Sequence, residues 1–164
     1  MSRISINRTV DASSPEVWEI LADFGGVHRF HPLVERSPLL SDNNSGVGAT
    51  RRCEFYDGKS ITERVIDWTE GRSMRVAIIE GDMPMDEAVA ELSVRPIEGG
   101  RSEVTMTMEY EPSFGFAGKI MDKLMMRFMF KNMCGKVLDG LDTHARTGSS
   151  IGKKGKPLAQ TVAA

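Results

Sequence analysis

Cysteine is scarce in this sequence. Cys53 and Cys134 are the only two, they lie far apart, and neither belongs to a CxxC pair. That excludes a cysteine framework, and both are read as reduced, partly buried thiols. Long apolar runs are missing as well. No stretch reaches the ~20 residues of a membrane-spanning helix. Residues 2–12 alternate polar and apolar and contain Arg3 and Arg8, without the apolar stretch of a secretory signal, so the expected location is the cytoplasm. Neither sign of charge dominates. A net charge of −2 gives no broad basic field of the kind that draws a chain to nucleic acid or an anionic membrane.

Familiar catalytic patterns are also lacking. There is no GxSxG, and the three histidines fall in no hydrolase motif. Gly58-Lys59-Ser60 ends like a phosphate-binding loop, but Cys53 stands where that pattern needs its first glycine, and the segment sits at a hairpin turn. His28 and His31 are three residues apart, yet no nearby Cys, His or carboxylate cluster completes a zinc site. Neither a metal nor a cofactor is expected.

What remains is an ordinary soluble composition, 40% hydrophobic and 27% charged, in a chain whose 164 residues suit one domain. Methionine stands out at eleven residues, most of them in the C-terminal two-thirds. Its flexible, polarisable side chain suits either core filling or the wall of an adaptable ligand cavity.

Ile4, Ile6 and Val10 alternate with polar neighbours and predict a first strand. Ser13-Ser14-Pro15-Glu16 opens a helix, with a serine to cap, proline in the first turn and an acid at the positive end of the dipole. Gly25-Gly26 ends it, and a short second helical stretch runs to His31-Pro32. From Leu39 the period becomes two. The segments 49–55, 61–68, 74–79, 85–94 and 104–110 are separated by turn formers at hairpin spacing and predict an antiparallel sheet; a strand around 35–40 is faint. Val104, Met106, Met108 and Tyr110 point to one face, as do Ala88, Ala90, Leu92 and Val94 on the strand before. The small Ala88 and Ala90 leave room for the packing of a long helix or for a cavity.

Residues 116–146 read as that helix, with Met126, Met129, Phe130, Met133, Val137 and Leu141 forming an inward stripe. Met121, Leu124, Met125 and Phe128 project from the opposite side, so the first half is apolar nearly all round and needs a cover. Residues 147–164, rich in Gly, Ser and Lys, are expected to form a disordered tail beyond a single domain of residues 1–146.

The best chemical candidate is Arg51 with Glu63. Alternation puts Arg51, Cys53 and Phe55 on one face of their strand and Ile61, Glu63 and Val65 on one face of the next, and the apolar companions make both faces inner ones. A charge there needs a partner. The pair is either a structural salt bridge or a polar handle that orients a ligand or exchanges a proton.

Residues 11–24, with Pro15-Glu16-Val17-Trp18 and the following His28-Arg29-Phe30-His31-Pro32, resemble the opening of the SRPBCC superfamily, also called START-like or Bet v 1-like. Gly48-Ala49-Thr50-Arg51 and Thr62-Glu63-Arg64-Val65 resemble paired strands of its polyketide cyclase/dehydrase branch and of the plant abscisic acid receptors. The resemblance spans residues 3 to about 146. It implies an α+β helix-grip fold: a curved seven-stranded antiparallel sheet wrapped around a long C-terminal helix, with two short helices after the first strand. It also implies a hydrophobic cavity between sheet and helix. By matched position Cys53, Phe55, Glu63, Val76 and Ile78 would face it, to which our own reading of the strands and helix adds Ala88, Ala90, Met106, Met108, Met126, Phe130 and Met133. Residues 56–59 correspond to the receptors' gate and 81–85 to their latch, but the gate is short and lacks Gly-Leu-Pro, against a hormone receptor of that type.

Fold does not settle function in such a superfamily. Three readings follow. The first is non-covalent binding of a small hydrophobic molecule such as a lipid, polyketide or isoprenoid, which requires a cavity that holds more than water. The second is a cyclase or dehydratase with Glu63 as general acid/base and Arg51 or His31 polarising a carbonyl. The third is an interaction module, a homodimer for instance, joined through the apolar first half of the long helix.

Overall fold

The alternation of residues 2–12 becomes an edge strand because the segment's apolar side chains have a long partner to lie against. The computed structural model describes residues 1–158, the Lys123 side chain excepted. In it β1 (Ser2–Val10) pairs along its whole length with β7 (Arg101–Pro112). Ser13 then caps α1 (Ser14–Ala22): its hydroxyl accepts from the Glu16 amide at 3.4 Å while Glu16 Oε2 accepts from the Ser13 amide at 2.8 Å. A 3-10 turn (Phe24–Arg29) follows, and the chain reaches the opposite edge of the sheet at the short β2 (Val34–Arg36).

From there the chain returns by hairpins through β3 (Thr50–Phe55), β4 (Ser60–Thr69), β5 (Ser73–Gly81), β6 (Met85–Ile97) and β7. All pairings are antiparallel and the spatial order is β1-β7-β6-β5-β4-β3-β2. On the outer face the polar residues of the alternation pair across strands, Arg95 with Glu103 at 2.9 Å and Arg75 with Glu109 at 3.2 Å. On the inner face Val104, Met106, Met108 and Tyr110 are buried, as the alternation predicts.

The C-terminal helix runs from Gly115 to Thr147. We denote its regular parts α2 (Gly115–Met121) and α3 (Arg127–Thr147); a π-turn (Asp122–Met126) joins them. Asp122 explains the irregular turn. It is buried, and it accepts hydrogen bonds from the Tyr110 hydroxyl on β7 and the Ser2 hydroxyl on β1. A carboxylate in that position needs donors, and widening one turn brings it to them. Burial, and then this hydrogen bond, raise the Tyr110 hydroxyl well above its ordinary pKa. Tyr110 also packs on Phe130 with ring centroids 4.8 Å apart.

Two expectations change. The buried stripe of α3 is Phe130, Cys134, Val137, Leu138 and Leu141. It is rotated toward Cys134 and Leu138, which leaves Met129 at its margin and exposed. Residues 148–158 do not trail away as the expected disordered tail: Ile151 is buried, its amide donates to the Arg29 carbonyl at 2.7 Å, and it bridges to Pro157. One apolar residue in a Gly-Lys run had a hole to fill beside Gly140. Residues 159–164 of that expectation lie outside the described residues.

Gly140 is where the long helix crosses the end of the 3-10 turn. A Cβ there would lie 2.2 Å from the Phe30 carbonyl oxygen. Gly140→Ala is therefore expected to cost about 1–3 kcal/mol despite alanine's better helix propensity, as read from urea unfolding. A neutral or stabilised variant would show that helix and turn separate easily.

Candidate functional site: a small cavity with one polar end

Cross-strand register lays the inner face out in rows. Val65, Val76, Ala90, Met108 and Ile4 are successive partners from β4 to β1. In the next row Arg51, Glu63, Ile78, Ala88 and Tyr110 follow one another from β3 to β7. Large side chains fill these rows wherever α3 approaches. The small Ala90 and the thin Val76 leave a gap, which α3 closes with Met133 and Val137. The result is a cavity of about 70 Å³ between sheet and helix. That is room for a few waters, well below the roughly 300–1,000 Å³ that encloses a drug-sized ligand.

The walls are mostly apolar: Val34, Cys53, Phe55 and Ile61 on one side, Leu92, Met106 and Met108 on another, with Val27 and Phe30 at one end. Met83, from the loop between β5 and β6, also lines it. Three polar residues, Arg51, Glu63 and His31, stand on this wall and interact with one another.

Arg51 and Glu63 are direct cross-strand partners. Glu63 Oε2 accepts from Arg51 Nε at 2.7 Å, lies 2.6 Å from Nη2, and accepts from the Cys53 thiol at 3.3 Å. Arg51 Nη1 donates to the Phe24 carbonyl at 2.7 Å, and the guanidinium lies 3.8 Å from the centre of the Phe24 ring. The two side chains are only 10% and 12% exposed, so the pair is desolvated and geometrically fixed. All three donors converge on Oε2; Oε1 has no hydrogen bond among the described residues. Burial, and next the Glu63 charge, push the Cys53 thiol far up, which keeps it protonated.

His31 lies at the end of the first helical region. Its Nδ1 accepts from the Leu33 amide at 3.2 Å, so the ring proton sits on Nε2. Burial brings its pKa down to about 4, against a smaller upward pull from Glu63, with Arg51 adding to the depression. At neutral pH His31 is an uncharged hydrogen-bond donor. His28 takes no part, since its Nδ1 pairs with the Ser37 hydroxyl at 2.7 Å. Among the described residues no cluster of three His, Cys, Asp or Glu side chains is arranged to hold a metal.

Nine of the residues expected to line the cavity surround it, Cys53, Phe55, Glu63, Val76, Ile78, Ala90, Met106, Met108 and Met133, together with the candidate catalytic residues Arg51 and His31. Phe130 was expected there too, but it is buried against Tyr110 and does not line the cavity. Ala88 and Met126 are buried but border other hollows, Ala88 beside the loop after β5 and Met126 under α2. Val27, Val34, Met83 and Val137 were not anticipated as lining. Leu92 and Ile61 had a signal, since both share the inner parity of their strands.

A sheet that grips one long helix over an apolar cavity defines a helix-grip protein. The chain belongs to the family described as polyketide cyclase/dehydrase and lipid transport, whose model matches residues 1–146. That places it in the START-like superfamily and supports a role in binding hydrophobic ligands. Among solved structures it is similar to XoxI from Bacillus cereus, with a TM-score of 0.74 at 16% identity, covering 90% of this chain and 97% of that one. It is also similar to a protein from Thermus thermophilus, with a TM-score of 0.72 at 22% identity and coverage of 91% and 100%. Ginseng major latex-like protein 151 from Panax ginseng has a TM-score of 0.70 at 15% identity, covering 88% of this chain and 97% of that one. At such identities these likenesses establish the fold. No curated protein matches the sequence. Among the described residues no helix is long and apolar enough to cross a membrane.

Proposed function

We propose that this protein binds a small hydrophobic molecule of lipid, polyketide or isoprenoid type between the sheet and the C-terminal helix. The observation that carries the reading is an apolar void walled by Met83, Met106, Met108 and Met133, with hydrogen-bonding groups on one part of its wall. A volume of about 70 Å³ means that a ligand must enlarge it. Methionine side chains can turn aside at little cost, and Met83 sits on a loop between strands rather than inside one. The His31 Nε2–H and the free Oε1 of Glu63 would then fix the polar end of the ligand.

The test is uptake of an environment-sensitive naphthalene fluorophore, alongside native mass spectrometry of freshly purified protein. Ala90→Phe, which fills the gap between Val76 and Met108, is expected to weaken uptake at least about tenfold while the fold persists. Equal uptake by both proteins, or none by either, would put the ligand elsewhere or remove it.

A second reading is favoured by the unpaired Glu63 Oε1 beside a neutral imidazole. In a cyclase or dehydratase, Oε1 would take or give the proton while His31 or Arg51 polarises a substrate carbonyl. Unchanged turnover by Glu63→Gln on any substrate the native protein converts would end that reading.

A further inference from the structure

The first half of the C-terminal helix keeps its apolar surface in the open. Phe114, Phe116, Leu124 and Phe128 are each at least 72% exposed, and Ile120, Met121, Met125 and Met129 are exposed beside them. Three phenyl rings exposed to this extent present roughly 400 Å² by themselves, about as much as the largest apolar patch of a typical monomer. The patch borders a groove of about 220 Å³, almost wholly apolar, between α2, Pro84 and Ser113. Pro84 follows Met83, which lines the internal cavity.

Charge distinguishes among the occupants of such a face. Between residues 113 and 138 the sequence has five basic residues and a single acid, Asp122, which is buried and bonded to Tyr110 and Ser2. Lys119, Lys123, Arg127 and Lys131 recur at intervals of four. Like charges at that spacing weaken a helix unless something anionic compensates them. Lys119, Arg127 and Lys131 are exposed and form no ion pair among the described residues. The net charge of −2 for the whole molecule conceals this local excess. A second copy docked about a two-fold axis would set one basic row near its mate, which opposes association. An interfacial bilayer site needs the two features found here: aromatic and aliphatic side chains that enter the acyl boundary, and basic ones at headgroup level.

The backbone supplies a further sign. Phe114 has φ of 76°, a left-handed conformation that a bulky side chain adopts only with strain, and its ring points to solvent rather than to any core.

We propose that residues 114–131 dock this protein on an anionic lipid bilayer, with the phenylalanines and Leu124 inserted and Lys119, Arg127 and Lys131 at the phosphates. The apolar groove would then open onto the acyl chains, one residue away from the cavity wall. The proposal stands apart from occupancy of the cavity, because a protein that takes up no fluorophore would still sediment with vesicles.

The experiment is sedimentation of the full chain with vesicles of phosphatidylcholine alone and of phosphatidylcholine mixed with phosphatidylserine. Binding to the mixed vesicles is expected, weakened by salt and at least about tenfold stronger than to the neutral ones. Lys119→Glu with Lys131→Glu should remove that difference. Phe114→Gly relaxes the left-handed backbone while deleting one ring, so it should keep its melting temperature and still bind the mixed vesicles less well. Leu124→Ser with Phe128→Ser should lose most of the binding, with an unchanged circular dichroism spectrum. Equal binding to both vesicle types would overturn the electrostatic part. No binding to either, or a dimer by light scattering that Leu124→Ser with Phe128→Ser dissociates, would overturn the proposal and give the face to a protein partner.

Discussion

Glu63→Ala is expected to lower the free energy of unfolding by about 3–5 kcal/mol, the cost of stranding a buried charge. The arginine left behind is 10% exposed, fixed by its bond to the Phe24 carbonyl and stacked on the Phe24 ring, so it cannot swing out to water without breaking both contacts. The Cys53 thiol loses its acceptor in the same variant. The pair itself is worth much less than its disruption, because its attraction is spent largely on desolvation. Arg51→Met combined with Glu63→Leu is therefore expected to recover most of the loss. The remaining deficit should be about 1–3 kcal/mol for the unsatisfied Phe24 carbonyl. Urea titrations at neutral pH on the wild type, Arg51→Met, Glu63→Leu and the double variant close the cycle, with Glu63→Ala measured beside them. If Glu63→Ala costs less than about 1 kcal/mol, water reaches the pair and the cavity is more open than its walls suggest.

This pair was legible in the sequence because a short turn at 56–59 makes β3 and β4 neighbours, and period two then fixes which side chains share a face. Alternation alone likewise gave the inner faces of β6 and β7, and Ser13 with Glu16 gave the start of α1. The family's helix-grip fold follows from those elements in that order. The size of the cavity was not legible. It depends on how far Met83 and Phe55 lean inward from loops and strand ends, and on the rotation of α3, which is set by Cys134 and Leu138 rather than by a methionine stripe. Nor was the π-turn, although its cause left a trace: Asp122 is a lone acid inside an apolar stretch, and such a residue needs partners from elsewhere in the fold. Ile151 had no periodic neighbours to mark it as core, so its docking under Gly140 emerged only in three dimensions.

The second large effect is on pH. Stability is expected to fall as pH drops from 6.5 toward 4, by up to roughly 3 kcal/mol on account of His31 alone. The folded ring takes a proton only near pH 4, held off chiefly by burial, whereas in the unfolded chain it does so near 6.5. Between those values the unfolded state binds more protons, so acid favours it; above 6.5 neither state is charged and the contribution is constant. His28, also depressed chiefly by its burial, adds to the trend with the same sign. The two can be separated, because His31→Gln retains His28. Urea unfolding of wild type and His31→Gln at a series of pH values should give curves that run parallel above pH 6.5 and converge below it, the wild type losing the more. Glu63 attracts the imidazolium and Arg51 repels it, so Glu63→Gln should steepen the wild-type loss and Arg51→Met should shallow it. Parallel curves throughout would mean that His31 is solvated and titrates alike in both states, and the cavity would then lose its neutral donor. A steep loss that Glu63→Gln leaves unchanged would instead place the ring away from the pair, with burial as its whole cause.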